Sequence, residues 1–426
     1  MKPPISRLPL IALLHKAVLT GITAVLAGTS AAFFLWSLDA VTRVRLDQPW
    51  LLWCLPLIGM AVALIYQKWG STAERGTGLI LDEIHEPGGG VPVRMAPLVL
   101  LGTLATHLGG GSAGREGTAV QMGGSLAGWV GRMGRRSTGE FPGLLMAGVA
   151  AGFGAVFGTP WAGAVFAVEV LRQRRGRLKE WPWCVAAAFC ADQVCHGWGG
   201  HHTAWPRIAC STFSGVSVWG GVLFAAMIFG LVAWAFVGSA HLWQTWMKRW
   251  LPWAPLRPLV GGFLVIALVS VCGTRDYLGL GTLAGPQGLT LESFFHGYTQ
   301  PWETLSNAKA PPVIAEAWAW KLVFTVITVG SGFKGGEVTP LFFIGAALGQ
   351  TLSLHLNGLH YAEAFAALGM VTVFSAAART PLTGLFLAVE LFGPGLALPA
   401  ALSCGVAVLF RHRGLYHAAK PPAAVQ

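Results

Sequence analysis

A segment of this chain recurs without a gap 221 residues further on, and any fold the chain adopts has to accommodate that duplication. Gly114-x-Glu116-x-Thr118 returns as Gly335-x-Glu337-x-Thr339, and Gly124 and Gly128 fall on Gly345 and Gly349. The register persists through residues 153–169 (FGAVFGTPWAGAVFAVE), which match 374–390 (FSAAARTPLTGLFLAVE). Pro160 falls on Pro381, Gly163 on Gly384 and Glu169 on Glu390. Both copies are apolar and both are broken by glycine or proline. In a transporter-like chain, repeats of this kind place the substrate site between the two copies.

Only 11% of the 426 residues are charged while 54% are hydrophobic, with a mean hydropathy of +0.58. A soluble domain carries about a quarter charged residues, so this composition belongs in a lipid bilayer. The net charge of +11 comes from basic residues in short loops between apolar runs. That pattern fits positive-inside orientation and anionic lipid, not nucleic acid. The seven cysteines show no CxxC pair and read as small core residues, without a disulfide frame or zinc site. The 19 tryptophans and 23 phenylalanines partly supply an interfacial belt. No cofactor is expected.

Along the chain, residues 1–16 form a short amphiphilic lead, and 17–36 are too long an apolar run for a secretory signal, so they read as a first transmembrane helix. A second span covers 50–66 and is followed by a basic turn at 68–75. A polar, glycine-rich interruption precedes the apolar stretch 95–108, and the bend at Glu116 opens another segment to residue 130. Residues 144–157 and 161–171, separated by Thr159-Pro160, fall below the ~20 residues needed to cross a bilayer. They predict discontinuous helices around a midplane site. An irregular middle, 191–213, carries His196, His201 and His202, and further spans cover 216–236 and 259–272. The first copy ends on the basic run 172–180, whereas the matching stretch after Glu390 has no charge. This asymmetry favours inverted over parallel repeats. The expected architecture is an all-α integral membrane protein with one transport domain. Residues 17–200 and 210–411 form its two inverted repeats, and 412–426 form a short cytoplasmic tail. No soluble domain is expected at either end.

Arg115 and Glu116 stand side by side in a glycine-rich bend between apolar stretches. Charged side chains at membrane depth cost roughly 2.5–3.5 kcal/mol each on insertion scales, which makes them functional candidates. A helix N-terminus leaves backbone N–H groups unpaired and carries a partial positive charge. Several such ends aimed at the midplane hold an anion without a full cation, and glycine lets the ion approach the backbone. A carboxylate at the same place is itself an anion. Glu116 can therefore fill the site when ionised and leave it when protonated, acting as both gate and proton carrier.

With these residues in view, GSAGREGTAVQMGG resembles the glutamate-gate signature of the CLC chloride channels and transporters. FGTPWAG and RTPLTG resemble the starts of the paired helices in the two inverted halves of that fold. The loop at Gly76, Thr77 and Gly78 resembles the first anion-binding loop of the family. GGEVTP at 335–340 resembles the second, and Gly414-Leu415-Tyr416 the tail segment with an anion-facing tyrosine. Glu337 and Thr339, the Thr in GREGT and the neighbouring DEIHEP resemble the fluoride/proton antiporter branch. Val170 stands where proton-coupled chloride exchangers carry an inner glutamate, so the resemblance implies a proton route from Glu116 to Glu337, with Thr339 as a hydroxyl relay. It also implies anion contacts from Gly76, Thr77, Gly78, Arg115, Gly117, Gly336, Val338 and Tyr416, and a homodimer in the inner (plasma) membrane with basic loops and termini cytoplasmic. The expected substrates are fluoride and protons. A chloride/proton antiporter or chloride channel of the same fold is the alternative, because Thr77 replaces both the methionine or asparagine of the fluoride branch and the serine of chloride transporters.

Blander roles compete for several residues. Arg115 with Glu116 could be a structural ion pair, as could Glu337 with Lys334. Thr339 could cap a helix and Tyr416 could be a belt residue. Glu169 and Glu390 close the shared helix and read as structural. Asp82, Glu83, His85 and Glu86 lack a metal-ligand spacing and read as a solvated loop, and His201-His202 as a polar loop. Gly110-Gly111-Ser112-Ala113-Gly114 matches the G-x-S-x-G elbow of serine hydrolases, with His107 upstream. That motif needs a strand before Ser112, whereas the context is helical membrane sequence, so no enzyme is expected.

Overall fold

The computed structural model describes residues 8–134, 141–170, 175–283, 288–296, 315–356, 361–410 and 414–416. Among these there is no β-strand, only an isolated bridge between Gly114 and Gly336. The first half contains α1 (Leu8–Asp47), α2 (Leu55–Ile65), α3 (Thr77–His85), α4 (Met95–Leu108), α5 (Glu116–Met133), α6 (Phe141–Phe157), α7 (Pro160–Glu169) and α8 (Trp181–Gly197). The second contains α9 (Val216–Trp250), α10 (Leu256–Cys272), α11 (Ala317–Gly330), α12 (Val338–Leu356), α13 (Ala362–Ala378), α14 (Pro381–Phe392) and α15 (Ala397–Ala407).

Helix α1 is longer than the apolar run 17–36 predicts. Its 40 residues span about 60 Å at 1.5 Å each, twice the ~30 Å hydrocarbon core. Leu10, Ile11, Leu14 and Phe33 of α1 and Phe224, Met227 and Trp234 of α9 are exposed, as expected of sides that meet lipid. Among the described residues, four helical runs are long and apolar enough to cross a membrane: Leu10–Asp47, Pro49–His85, Val216–Trp250 and Val338–Leu356. The remaining helices are shorter and differ in burial. All of α6 and nearly all of α13 is buried.

The duplication is visible element by element. Helices α6 and α13 begin and end 221 residues apart, and α7 and α14 begin at Pro160 and Pro381. The turn before each of the latter contains a residue with positive φ at the same register, Gly158 (+68°) and Arg379 (+60°). Close packing is bought with glycine in both halves: a Cβ on Gly123 would stand 2.1 Å from the Gly148 carbonyl oxygen, and one on Gly345 would stand 2.1 Å from that of Gly369. Gly148 and Gly369 are equivalent, whereas Gly345 corresponds to Gly124, so α5–α6 and α12–α13 make similar close backbone contacts one residue apart in register.

Two expectations are corrected. Residues 82–86 are not a solvated loop: Asp82, Glu83 and His85 belong to α3, which packs on α5 and α6. Glu83 is buried and its Oε1 accepts the Gly88 N–H at 2.8 Å, while Asp82 pairs with Arg75. The apolar turns of Leu79, Ile80, Leu81 and Ile84 pull this acidic segment inward. The irregular middle also begins later than expected, because α8 carries helix through Gly197 and includes His196.

Candidate functional site

Helices α5 and α12 start facing one another, one from each copy of the repeat. The glycines before them cross as an antiparallel bridge, Gly114 N–H to Gly336 O at 2.5 Å and Gly336 N–H to Gly114 O at 2.8 Å. Nothing larger fits this crossing. A Cβ on Gly336 would stand 2.7 Å from the Gly117 nitrogen, and one on Gly114 would stand 2.8 Å from Glu116 Oε2. Gly335 has φ of +153°, which favours glycine at the entry to the turn.

Glu116 is the first residue of α5 and is 1% exposed. Its Oε2 accepts the N–H of Arg115 at 3.0 Å and of Thr339 at 3.1 Å, and its Oε1 accepts the Thr339 hydroxyl. The Arg115 Nε stands 3.7 Å away with no hydrogen bond of its own, so the guanidinium is only a loose neighbour. The carboxylate of the first copy is thus held by the helix start of the second. Hydrogen bonds to a charged group are worth about 1.5–3 kcal/mol each, and the N-terminal dipole adds to them. The donors so gathered are filled by the protein's own side chain.

Glu337, the counterpart of Glu116, has a different environment. It is partly buried, and its carboxylate is held by its own backbone N–H and by no other described residue. The Lys334 ammonium lies 4.1 Å from the centre of the Tyr66 ring and does not pair with it. Glu337 and Glu116 are within Coulombic reach of each other, and both are within reach of Tyr416. Tyr416 packs edge-on against Phe166 of α7 at 5.7 Å, and its segment is tied down by Leu415 N–H to the Ala377 carbonyl at 3.0 Å. It is partly buried against the core. Val338 is fully buried at the start of α12.

Gly76, Thr77 and Gly78 form the start of α3, with Gly76 at φ +57°. All three are partly accessible. Gly78 opens onto a cavity of about 1050 Å³ whose wall carries Arg75, Lys248, Arg257 and Lys334 against Glu74 and Asp82. Two further residues were not singled out in the sequence. The side-chain amide of Gln121, on α5, stands 3.3 Å from where a Gly76 Cβ would lie, so it connects the α3 start to the Glu116 helix. Lys321 is fully buried in α11, where its Nζ donates to the Tyr277 and Gly279 carbonyls at 3.0 and 2.7 Å. A lone lysine inside the apolar run AWAWKLVFTV was a readable signal.

The hydrolase reading ends here. Ser112 is fully buried, its Oγ is 3.0 Å from Thr325 Oγ1, and no strand precedes it. His107 makes no hydrogen bond with it.

Helices of this length, duplicated about a crossing of glycine-led N-termini, define a membrane ion-transport protein and not an enzyme. The profile of the Voltage gated chloride channel family matches residues 58–412, and the chain belongs to that family, the CLC family. It is 42% identical over 406 residues to a "Chloride/fluoride channel protein" of Pseudomonas syringae pv. tomato, covering 94% of this chain and 85% of that one. It is 29% identical to a "H(+)/Cl(-) exchange transporter ClcA" of Yersinia pestis, over 73% of this chain and 64% of the relative. Among solved structures, a CLC-type fluoride/proton antiporter superposes with a TM-score of 0.84 at 32% identity, covering 93% of this chain and 95% of that one.

Proposed function

We infer that this CLC transporter exports fluoride across the plasma membrane in exchange for protons, and so confers fluoride resistance. The observation that carries the reading is the Glu116 carboxylate lodged on the Thr339 N–H and O–H. An ionised Glu116 closes the pathway by occupying the donors that an anion needs. Protonation removes its charge and weakens all of these hydrogen bonds together, and an incoming anion takes the vacated donors. The same group that opens the path carries a proton, which couples the two fluxes. Glu337, held by no other residue and within reach of Glu116, receives that proton, with the Thr339 hydroxyl between the two helix starts as the relay. The α3 start at Gly76, Thr77 and Gly78, the amides of Arg115, Gly117, Gly336 and Val338, and Tyr416 line the rest of the anion path.

Fluoride holds its water tightly, so a site that takes it dry has to return short, strong hydrogen bonds. The amides and hydroxyl around Glu116 supply them. The printed names of the 42% identical relative and of the 32% identical antiporter structure support fluoride. Chloride is the second reading, favoured by the Thr77 hydroxyl and the chloride-exchanging relative. Residues 17–200 and 210–411 serve as repeats running in opposite senses, with basic loops and the 412–426 tail cytoplasmic and two copies forming a dimer. Fluoride and chloride efflux from reconstituted liposomes, with internal pH followed together, tests the proposal. Fluoride efflux with proton uptake and little chloride movement is expected. Rapid chloride efflux would transfer the function to the second reading.

A further inference from the structure

The carboxylate and imidazole groups at the end of α8 are used by none of the transport machinery described above. Asp192 and His196 are four residues apart on α8 and so share one face of the helix. His202 arrives from the loop that follows, and its ring stacks obliquely on that of His196, with centroids 4.9 Å apart. One donor atom from each of the three lies within 4.8 Å of the other two.

The individual atoms are poised for a ligand. His202 Nε2 is 2.8 Å from the Ala155 carbonyl. A carbonyl only accepts, so Nε2 carries the proton and Nδ1 carries the lone pair. That Nδ1 is buried and has no hydrogen-bond partner. Asp192 is 6% exposed, and its Oδ1 likewise lacks a hydrogen bond, with only His196 Nδ1 at 3.4 Å. A buried lone pair on each of two side chains, both aimed into one small space, calls for a positive guest. A ring N–H bonded to a backbone carbonyl is also the usual way in which a metal-binding histidine is oriented. His196 supplies a third donor from a side chain that is half exposed, so one coordination position remains open to solvent.

We propose that Asp192, His196 and His202 form a binding site for a divalent transition-metal cation of the zinc class. Two imidazoles and one carboxylate are the donor set for zinc or its neighbours, whereas calcium and magnesium need several more oxygens. Bonds of about 2.0–2.2 Å require the three donors to be roughly 3.4 Å apart. The site therefore closes by about an ångström, which rotation of the half-exposed His196 provides. His196 Nδ1 now lies 3.0 Å from the Asp192 backbone carbonyl. As a ligand the neutral ring keeps its one proton on the nitrogen away from the metal and gives the lone pair of the other, so binding weakens as falling pH protonates the imidazoles. The bound ion joins the end of α8 to the loop after it, which Trp36 and Trp198 fasten to α1 (Nε1 to Gly199 O at 3.2 Å, and Nε1 to Thr29 Oγ1 at 3.1 Å), while the His202 ring also covers Gly158 in the turn before α7.

Zinc titration of the tag-free, metal-stripped full chain in detergent, by calorimetry, tests this. One zinc per subunit is expected, with affinity weakened at least ~10-fold in Asp192→Asn and in His196→Ala and unchanged in His201→Ala, the adjacent histidine. Zinc-free His196→Ala should transport like the unaltered protein, because His196 touches nothing in the anion path. Absence of saturable zinc binding would overturn the proposal. So would binding that survives both Asp192→Asn and His196→Ala, or that is lost equally in His201→Ala.

Discussion

Two pairs of glutamates occupy equivalent places in the duplicated halves, and they have fared differently. Glu169 and Glu390 still perform one task. Glu390 accepts the N–H groups of Trp161 and Ala162 at 2.9 and 2.8 Å, at the start of α7. Glu169 accepts those of Leu382 and Thr383 at 2.8 and 2.7 Å, at the start of α14, and the Thr383 hydroxyl as well. Each half caps a broken helix of the other, and an anion at a helix N-terminus is stabilising whichever half supplies it. Glu116 and Glu337 share their register just as closely, yet one is buried on three donors, two of them from the other half, and the other is met only by its own N–H. The reason lies in their neighbours. Thr339 spends its N–H and hydroxyl on Glu116, whereas its counterpart Thr118 turns to Thr103 Oγ1 at 2.7 Å, leaving nothing for Glu337. Symmetry maintains the scaffold. Where it breaks, the two carboxylates acquire unequal environments, which the proposed proton transfer would use.

The largest effect that would break this comparison is expected at the crossing itself. Gly336→Ala drives a methyl into the Gly117 nitrogen at 2.7 Å, against backbone that cannot yield. A loss of about 3 kcal/mol or more is expected, read as loss of monodisperse protein or a sharply lower melting temperature. Thr339→Val comes next. It removes the hydroxyl from Glu116 while keeping the N–H, at about 1.5–3 kcal/mol for a hydrogen bond to a charge. The carboxylate should then vacate its site about ten- to a hundredfold more readily, seen as faster anion leak with fewer protons moved per anion. Glu169→Gln and Glu390→Gln should each cost about 1–2 kcal/mol, somewhat more at Glu169, which also holds the Thr383 hydroxyl, and with coupling intact. Loss of coupling in either variant would mean that the caps do more than hold the helix starts. Glu337→Gln should change stability by less than ~0.5 kcal/mol, since no partner is lost, while slowing coupled exchange. Unaltered exchange would leave Glu337 without a role in proton movement.

Much of this was legible in the chain before its structure. The 221-residue register located Glu116, Glu337 and Thr339, and the Thr-Pro pairs marked the starts of α7 and α14, because breakers and charges in an apolar background are local signals. The contacts were not legible. Thr339 and Glu116 are 223 residues apart, and no spacing rule says which of two equivalent threonines turns toward which glutamate. The acidic run in α3 looked like loop because its burial depends on α5 and α6, which a local reading does not see. Asp192 escaped notice because His202, which completes its site, is brought to it only by the loop after α8.

The central claim is that Glu116 is at once the plug in the anion path and the carrier of the proton. It is tested most directly by Glu116→Gln in liposomes, with anion efflux and internal pH recorded in the same sample. A neutral amide cannot compete as an anion or deliver a proton, so anion efflux should continue while proton uptake disappears. Proton uptake that stays in step with anion efflux in this variant would contradict the account.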